Sequence, residues 1–259
     1  AWNVRRTIQF LKEEGFITGD GRLRATPLGE KVSYLYIDPK SATVILRALK
    51  RGRVSTLGYL HMVSSTPDMP VLYLRRKEFE KYDEKARECA DELLLEPPED
   101  PVSYEFYLAS LKTAMMLRDW IEEVPDDHII KEYDVGPGDV HNIAQTAEWL
   151  LYAAAEIAKE GGYLEHVVPL YTLRKRVKHG VREELLELVS IRGIGRVRAR
   201  VLYNYGYRTL DDIRKATVGE LARLPTIGTT LAKKLKAAVE GLSEVEIEGA
   251  VAHTLDQYL

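Results

Sequence analysis

The feature that most constrains the fold is a short motif that occurs twice near the end of the chain. Gly193 and Gly195 flank one apolar residue, and helix-forming segments lie on both sides of this turn. About 33 residues later, residues 224–228 repeat the scheme, with Gly228 in the place of Gly195 and Thr226 in the place of Gly193. Glycines let the backbone turn tightly, and the amides that open the following helix point outward, where they can hold a phosphate. The repeat predicts a tandem helix-hairpin-helix.

Positive charge is concentrated around the same repeat. The formal net charge is -3, yet residues 171–240 hold 16 Lys and Arg against 7 Asp and Glu, whereas residues 1–170 hold 21 against 29. A basic block in an acidic chain is typical of phosphate binding, although a solvated helical surface or a protein-docking site gives the same count. The residues predicted to contact DNA here, without reading its sequence, are Arg192, Gly193, Gly195, Arg196, Arg198, Arg200, Gly228, Lys233 and Lys234.

Upstream of the repeat, the spacing of apolar residues is helical. Residues 4–14, a glycine-containing hairpin at 16–24 and a helix opened by Thr26 and Pro27 have the order of the back half of a winged helix, so we expect the chain to be part of a longer protein. Further helices, separated by proline- and glycine-rich turns, are predicted at residues 39–51, 56–64, 77–95, 104–123, 126–133 and 139–160.

These patterns predict a mainly α fold with four parts. They are a partial winged-helix domain at residues 1–38, a multi-helix bundle at 39–180, a helix-hairpin-helix domain at 181–241 and an acidic tail at 242–259. The role of the tail is left open, because its strand-like alternation fits a partner-binding segment as well as a chain end.

The long helix predicted at residues 139–160 carries an aromatic residue on its polar side. Trp149 lies roughly 145° from the centre of the apolar stripe. Asn142, Gln145, Tyr152 and Glu156 share its face. An aromatic ring among hydrogen-bonding side chains can stack on a base of a single strand. The alternative is that Trp149 packs against a neighbouring domain.

Several function classes lack their signatures in the sequence. There is no Gly-x-x-x-x-Gly-Lys-Ser/Thr phosphate-binding loop, and the six histidines do not have zinc-ligand spacing. The single cysteine, Cys89, excludes an internal disulfide framework. No apolar run reaches the roughly 18 residues of a membrane span. We therefore expect a cytoplasmic chain with no catalytic residue, no metal and no cofactor of its own.

The order of motifs resembles the C-terminal half of the archaeal Hjm-type DNA helicases, superfamily-two motors related to the helicase part of polymerase theta. The resemblance covers nearly the whole chain, and its motifs are long and occur in the family's order. They are found at residues 26–29, 35–39, 65–69, 112–114, 119–123, 136–139, 146–150, 180–187 and 192–200.

The resemblance implies a function. The part of such a helicase that precedes this region is a pair of RecA-like motor domains, which bind ATP and Mg and drive 3′-to-5′ movement on single-stranded DNA. The present chain would be the accessory half, acting on single-stranded and forked or branched DNA in replication-fork repair or recombination. Two alternatives remain: a stand-alone helix-hairpin-helix module of a repair assembly, and a helical protein-interaction scaffold.

The resemblance also implies roles for individual residues. The helix at residues 139–160 would be a ratchet along the single-strand path, with Trp149 stacked on a base. The family tends to place an arginine where this chain has Asn142, and the neighbouring His141 replaces it only in part. The family segment that grips emerging DNA and restrains unwinding is matched here by Arg196, Arg198 and Arg200.

Overall fold

The structure is a computed structural model that describes residues 2–241, apart from the side chain of Trp2. The predicted acidic tail, residues 242–259, lies outside the described residues. Within the described part, helices dominate and the only strands form one short antiparallel pair, so the predicted mainly α class is confirmed.

The described residues form fourteen α-helices, two 3-10 helices and one two-stranded sheet. Strand β1 (Ile17–Thr18) pairs with β2 (Arg24–Ala25), and the 3-10 helices are Arg76–Glu78 and Glu183–Leu185. In chain order, α1 to α14 are Trp2–Glu13, Pro27–Tyr34, Pro39–Leu49, Thr56–Ser64, Phe79–Glu88, Pro101–Ile121, Asp126–Tyr133, Pro137–Glu160, Leu164–His179, Leu186–Val189, Arg196–Asn204, Leu210–Lys215, Val218–Ala222 and Thr229–Glu240.

The first four elements, α1, β1, β2 and α2, form the helix, hairpin and helix expected of a partial winged helix. The Thr26 hydroxyl caps α2, because it accepts a hydrogen bond from the Gly29 amide at 3.1 Å. Gly29 lies against the hairpin so closely that a Cβ there would come within 1.9 Å of the Phe16 carbonyl oxygen. The absence of a side chain at Gly29 therefore lets α2 pack onto the hairpin.

Helix α8 lies at the centre of the bundle. It packs against α2, α3, α4 and α7. It starts at Pro137, two residues before the predicted start, and the Asp139 carboxylate accepts a hydrogen bond from the Gly136 amide at 2.8 Å. Its fully buried small side chains, which let neighbouring helices approach closely, are Ala147, Ala153, Ala154, Ala155 and Ala158.

The helix predicted at residues 77–95 is wrong in extent. The structure has a 3-10 helix followed by α5, which ends at Glu88. Beyond it the chain leaves the helical path, and Leu93 and Leu94 are buried. The Glu92 carbonyl oxygen lies where a Cβ on Gly58 would meet it at 2.5 Å, so this segment packs directly on α4. Burial of Leu93 and of Leu94, which lies against Gly58 of α4, overrides the local helical preference.

The described residues divide into two compact units, one of residues 2–119 and 124–174 and the other of residues 120–123 and 175–241. The core of the second unit is apolar and includes Leu188, Leu202, Ile213, Leu221 and Leu235. The family matches given below begin and end at other positions, and the predicted domain boundaries at residues 38, 180 and 241 stay predictions.

Candidate nucleic-acid interface

The two glycine turns have the same backbone course. In the first turn Gly193 has a φ of 92° and Gly195 precedes α11 as its N-cap. In the second turn Thr226 has a φ of 65° and Gly228 precedes α14 as its N-cap. Both turns therefore use one left-handed residue, and the second uses a β-branched residue where the first uses glycine.

Both turns present the open end of a helix to solvent. Gly195 and Gly228 are exposed, and no side chain caps either helix. The amides of Ala199 and Ala232 donate to the carbonyl oxygens of these two glycines, each at 3.0 Å. In each of the two helices, the backbone amides of the residues before this alanine, which form the opening turn of the helix, have no acceptor within the helix. A helix end of this kind carries partial positive charge and favours an anion.

Four of the predicted basic residues lie exposed at these turns. Arg192 belongs to the first turn, and Lys233 and Lys234 lie on α14 beyond the second. Arg198 is exposed on α11, and its guanidinium donates to the Gly193 carbonyl oxygen at 3.1 Å. Arg192 and Arg198 thus lie at the first open helix end, whereas Lys233 and Lys234 lie about one helical turn beyond the second.

The other two arginines of α11 make contacts inside the second unit. The Arg196 guanidinium lies over the Trp120 ring, 4.5 Å from its centroid. Arg200 donates to both carboxylate oxygens of Glu123, at 2.8 and 2.7 Å, and to Glu184 at 2.8 Å. Burial is the largest single effect on the pKa of Glu123 and raises it, but the hydrogen bonds from Arg200 and the Arg182 amide, together with the charges of both arginines, hold that pKa below its ordinary value.

Sequence reasoning missed the residues that hold Arg196 and Arg200. Trp120, Glu123 and Glu184 were not among the predicted site residues. The available signal was the four-residue spacing of Arg196 and Arg200, which puts them on one helix face. That spacing alone does not name the partner of the face.

On α8, the predicted polar residues and Trp149 differ in exposure to solvent. His141, Asn142 and Gln145 are exposed on the first half of the helix. Trp149 is half-buried, and its indole N–H donates to the Leu35 carbonyl oxygen at 3.2 Å. Packing on the winged-helix part, the alternative considered for Trp149, is thus present in the structure.

The covered stretch of this α8 face continues beyond Trp149. Glu156 accepts hydrogen bonds from Lys31 of α2, at 3.0 Å, and from the Tyr171 hydroxyl of α9. The Arg174 guanidinium lies 4.7 Å from the centroid of the Tyr152 ring. Tyr152 and Glu156 are therefore partly covered, and the exposed polar residues of α8 lie in its N-terminal half and at its C-terminal end, where they are Lys159 and Glu160.

Two features are absent from the described residues, a metal-binding cluster and a membrane-spanning helix. No group of three or more His, Cys, Asp or Glu side chains there is arranged to hold a metal ion. None of the described helices combines the length and apolar character needed to cross a membrane.

Comparison with known proteins gives two family matches. The archaeal helicase domain 4 family matches residues 57–180, and the SAM-like helix-hairpin-helix tandem family matches residues 185–240. The second match contains both glycine turns and the helices that flank them.

Curated relatives match almost the whole chain. The ATP-dependent DNA helicase Hel308 of Pyrococcus horikoshii is 40% identical over 263 residues, covering 99% of this chain and 36% of the relative. The proteins of the same name from Pyrobaculum calidifontis and Methanocella arvoryzae are 43% and 39% identical, each over 88% of this chain and over 31% and 32% of their own lengths. The chain thus spans about a third of the length of these relatives. The resemblance inferred from the motifs is confirmed: the chain is similar over nearly its whole length to archaeal Hel308-type DNA helicases, with a match to archaeal helicase domain 4 at residues 57–180 and to a helix-hairpin-helix tandem at residues 185–240.

Proposed function

We propose that this chain is the DNA-binding accessory region of an archaeal ATP-dependent 3′-to-5′ DNA helicase, and that it guides and restrains the translocated single strand. The observation that carries the proposal is the pair of exposed, uncapped helix ends at Gly195 and Gly228. Each supplies backbone amides and a positive dipole end for one phosphate. Because backbone amides at a helix end would contact phosphate oxygens and not base edges, binding would be independent of sequence.

The basic side chains add to this binding. Arg192 and Arg198 lie at the first turn, and Lys233 and Lys234 lie near the second. Each side chain that neutralises a phosphate releases a condensed counterion, so the affinity should fall steeply as salt rises. The names of the relatives support DNA as the partner, since each is called a DNA helicase.

Helix α8 would contribute a second surface. Its exposed N-terminal residues His141, Asn142 and Gln145 carry donors and acceptors that a single strand can use. Trp149 borders this stretch and is only partly buried, and its ring would supply the stacking surface. Asn142 gives this surface no positive charge where the family tends to have arginine, and we expect weaker phosphate attraction there.

The remainder of the mechanism belongs to the parent protein. RecA-like motor domains would bind ATP and Mg, and their movement would be converted into steps of the strand held by this chain. Forked or branched DNA would be the substrate, and the parent protein would act in replication-fork repair or recombination.

The test is binding of the chain to a labelled single strand and to a forked duplex over a salt series. We expect log K to fall linearly with log salt, and Arg192→Ala and the double variant Lys233→Ala/Lys234→Ala each to flatten the slope, by roughly 0.7 for each lost single-strand phosphate contact. Lys215→Ala is the matched control, because Lys215 is an exposed lysine of the same unit, on α12 and paired with Asp211.

Each alternative predicts a different result. A protein-interaction scaffold would show no DNA binding at low salt, or binding that salt and these variants leave unchanged. A stand-alone module would bind DNA in the same way, but the gene region upstream of it would encode no ATPase motifs.

A further inference from the structure

The three arginines of α11 lie on two different sides of the helix. Arg196 and Arg200 are four residues apart and share one face, whereas Arg198 lies about 200° around the helix from Arg196. The contacts follow this division. Arg198 is exposed and donates to Gly193 in the turn. Arg196 and Arg200 face the segment of residues 120–123.

Arg200 is held more firmly than a surface ion pair would hold it. It makes a two-pronged contact with Glu123 and a third hydrogen bond with Glu184. Its side chain retains 26% of its possible exposure and that of Glu123 only 14%. A planar guanidinium paired with a carboxylate in this way gains strength from charge and direction from its fork geometry. A phosphate would have to displace two carboxylates to bind Arg200.

Glu123 is itself fixed in place. Its backbone is left-handed, with a φ of 63°, and its carboxylate also accepts from the Arg182 amide at 3.1 Å. The adjacent Glu122 pairs with Arg176 at 2.7 Å and with Arg182 at 2.9 Å. The segment that receives Arg200 therefore offers a rigid, negatively charged anchor within the second unit.

We propose that Arg200 is a positioning residue, not a DNA ligand. By gripping Glu123 and Glu184 it fixes the orientation of α11, and through α11 the open helix end at Gly195 and the exposed Arg198. The inference rests on the proposed function, since it assumes that the first turn binds phosphate. It departs from the expectation that Arg198 and Arg200 both contact DNA.

The first arm of the test uses conservative variants. Lysine still binds phosphate as a point charge but cannot make the two-pronged contact. We expect Arg198→Lys to bind single-stranded DNA about as tightly as the unmodified chain. Arg200→Lys should lose most of what Arg200→Ala loses, roughly threefold or more in Kd. Equal retention of binding by both lysine variants would show that Arg200 contacts DNA.

The second arm removes the partner carboxylate. If Arg200 were a phosphate ligand, Glu123→Gln would free it and tighten DNA binding. We expect the opposite: Glu123→Gln weakens binding, and the double variant Glu123→Gln/Arg200→Ala is no weaker than Arg200→Ala alone. Both single variants should lower the melting temperature of the second unit, by roughly 4–8 °C.

The outcomes separate the two proposals. No binding by the unmodified chain at low salt rejects the proposed function and this inference with it. Salt-dependent binding that Glu123→Gln tightens, or that Arg200→Ala leaves unchanged despite a lower melting temperature, rejects the inference alone. Weaker binding in both variants, without additivity, supports it.

Discussion

Thr226 adopts the left-handed backbone conformation that Gly193 adopts at the equivalent position of the first turn. The φ angles are 65° and 92°. A β-branched residue in this region crowds its own backbone, at a cost of about 1–2 kcal/mol, whereas glycine has no Cβ to crowd. The second turn therefore holds strain that the first turn lacks.

Relief of this strain should be measurable. We expect Thr226→Gly to stabilise the second unit by up to about 1 kcal/mol, because the strain relieved is partly offset by the greater freedom of glycine in the unfolded chain. Gly193→Ala, where an added Cβ has open space but the φ is unfavourable, should destabilise it by about 1–2 kcal/mol. Chemical denaturation of both variants measures the two effects, and a less stable Thr226→Gly would contradict the strain argument.

Trp149 should contribute to folding as well as to strand binding. Trp149→Phe keeps an aromatic ring but removes the hydrogen bond to the Leu35 carbonyl oxygen, so we expect the first unit to lose about 0.5–1.5 kcal/mol. Binding of single-stranded DNA should change little, because stacking needs only a ring. Trp149→Ala should impair both. A Trp149→Phe variant with native stability would show that the hydrogen bond contributes nothing.

The ion pair between Lys112 and Glu78 predicts a dependence of stability on acid. Lys112 has a side-chain exposure of 3% and donates to both Glu78 oxygens, at 3.0 and 2.9 Å, and to the Tyr73 carbonyl oxygen. Burial favours the protonated acid, but the hydrogen bonds from Lys112 and the Arg75 amide outweigh it, so the pKa of Glu78 lies below its ordinary 4.5. The stability that this shift gives is full above pH 4.5 and is lost as pH falls through the folded pKa.

Two variants test this ion pair. Lys112→Met should destabilise the first unit by about 2–4 kcal/mol, because it leaves a largely buried carboxylate without its cation. Glu78→Gln should flatten the loss of stability below pH 4.5, as followed by urea denaturation at several pH values. An acid dependence identical to that of the unmodified chain would show that Glu78 is not its source.

His61 predicts a second pH effect, at a higher pH. Complete burial lowers the pKa of His61 from 6.5 to about 4, and the hydrogen bond of Nε2 to the Tyr107 carbonyl oxygen opposes this only in part. The folded state thus requires neutral His61, and its contribution of about 3 kcal/mol is present above pH 6.5 and lost as pH falls toward 4.

A substitution at His61 separates this effect from that of Glu78. Nδ1 of His61 is buried and has no hydrogen-bond partner among the described residues, so an apolar ring gives up only the Nε2 bond. We expect His61→Phe to remove most of the stability change between pH 6.5 and 4. A slope that persists in His61→Phe would assign the titration to another group.

The sequence predicted the helices that carry their own end signals. Thr26 before Pro27 and the two glycine turns mark helix starts through local chemistry, and each appears where expected. The helix expected to continue to residue 95 ends at Glu88, because burial of Leu93 and of Leu94, which lies against Gly58 of α4, is a long-range effect that no local pattern records.

The candidate site could be predicted only as a set of residue types. The local excess of Lys and Arg predicted DNA contacts for Arg198 and Arg200 alike. Composition does not show which of the two side chains is already paired with a carboxylate. Glu123 is 77 residues away from Arg200 in sequence, and only the folded chain brings them together. The same holds for Trp149 and Leu35, which are 114 residues apart.

The buried alanines of α8 allow neighbouring helices to pack closely against it along much of its length. Side chains this short leave the surrounding backbones little room to slide or roll before atoms collide, and the 24-residue helix extends about 36 Å along its axis. Alanine has no side-chain rotamers, so close packing around it leaves little side-chain rearrangement to absorb a displacement of α8. A helix packed in this way is suited to moving together with its neighbours as a rigid body.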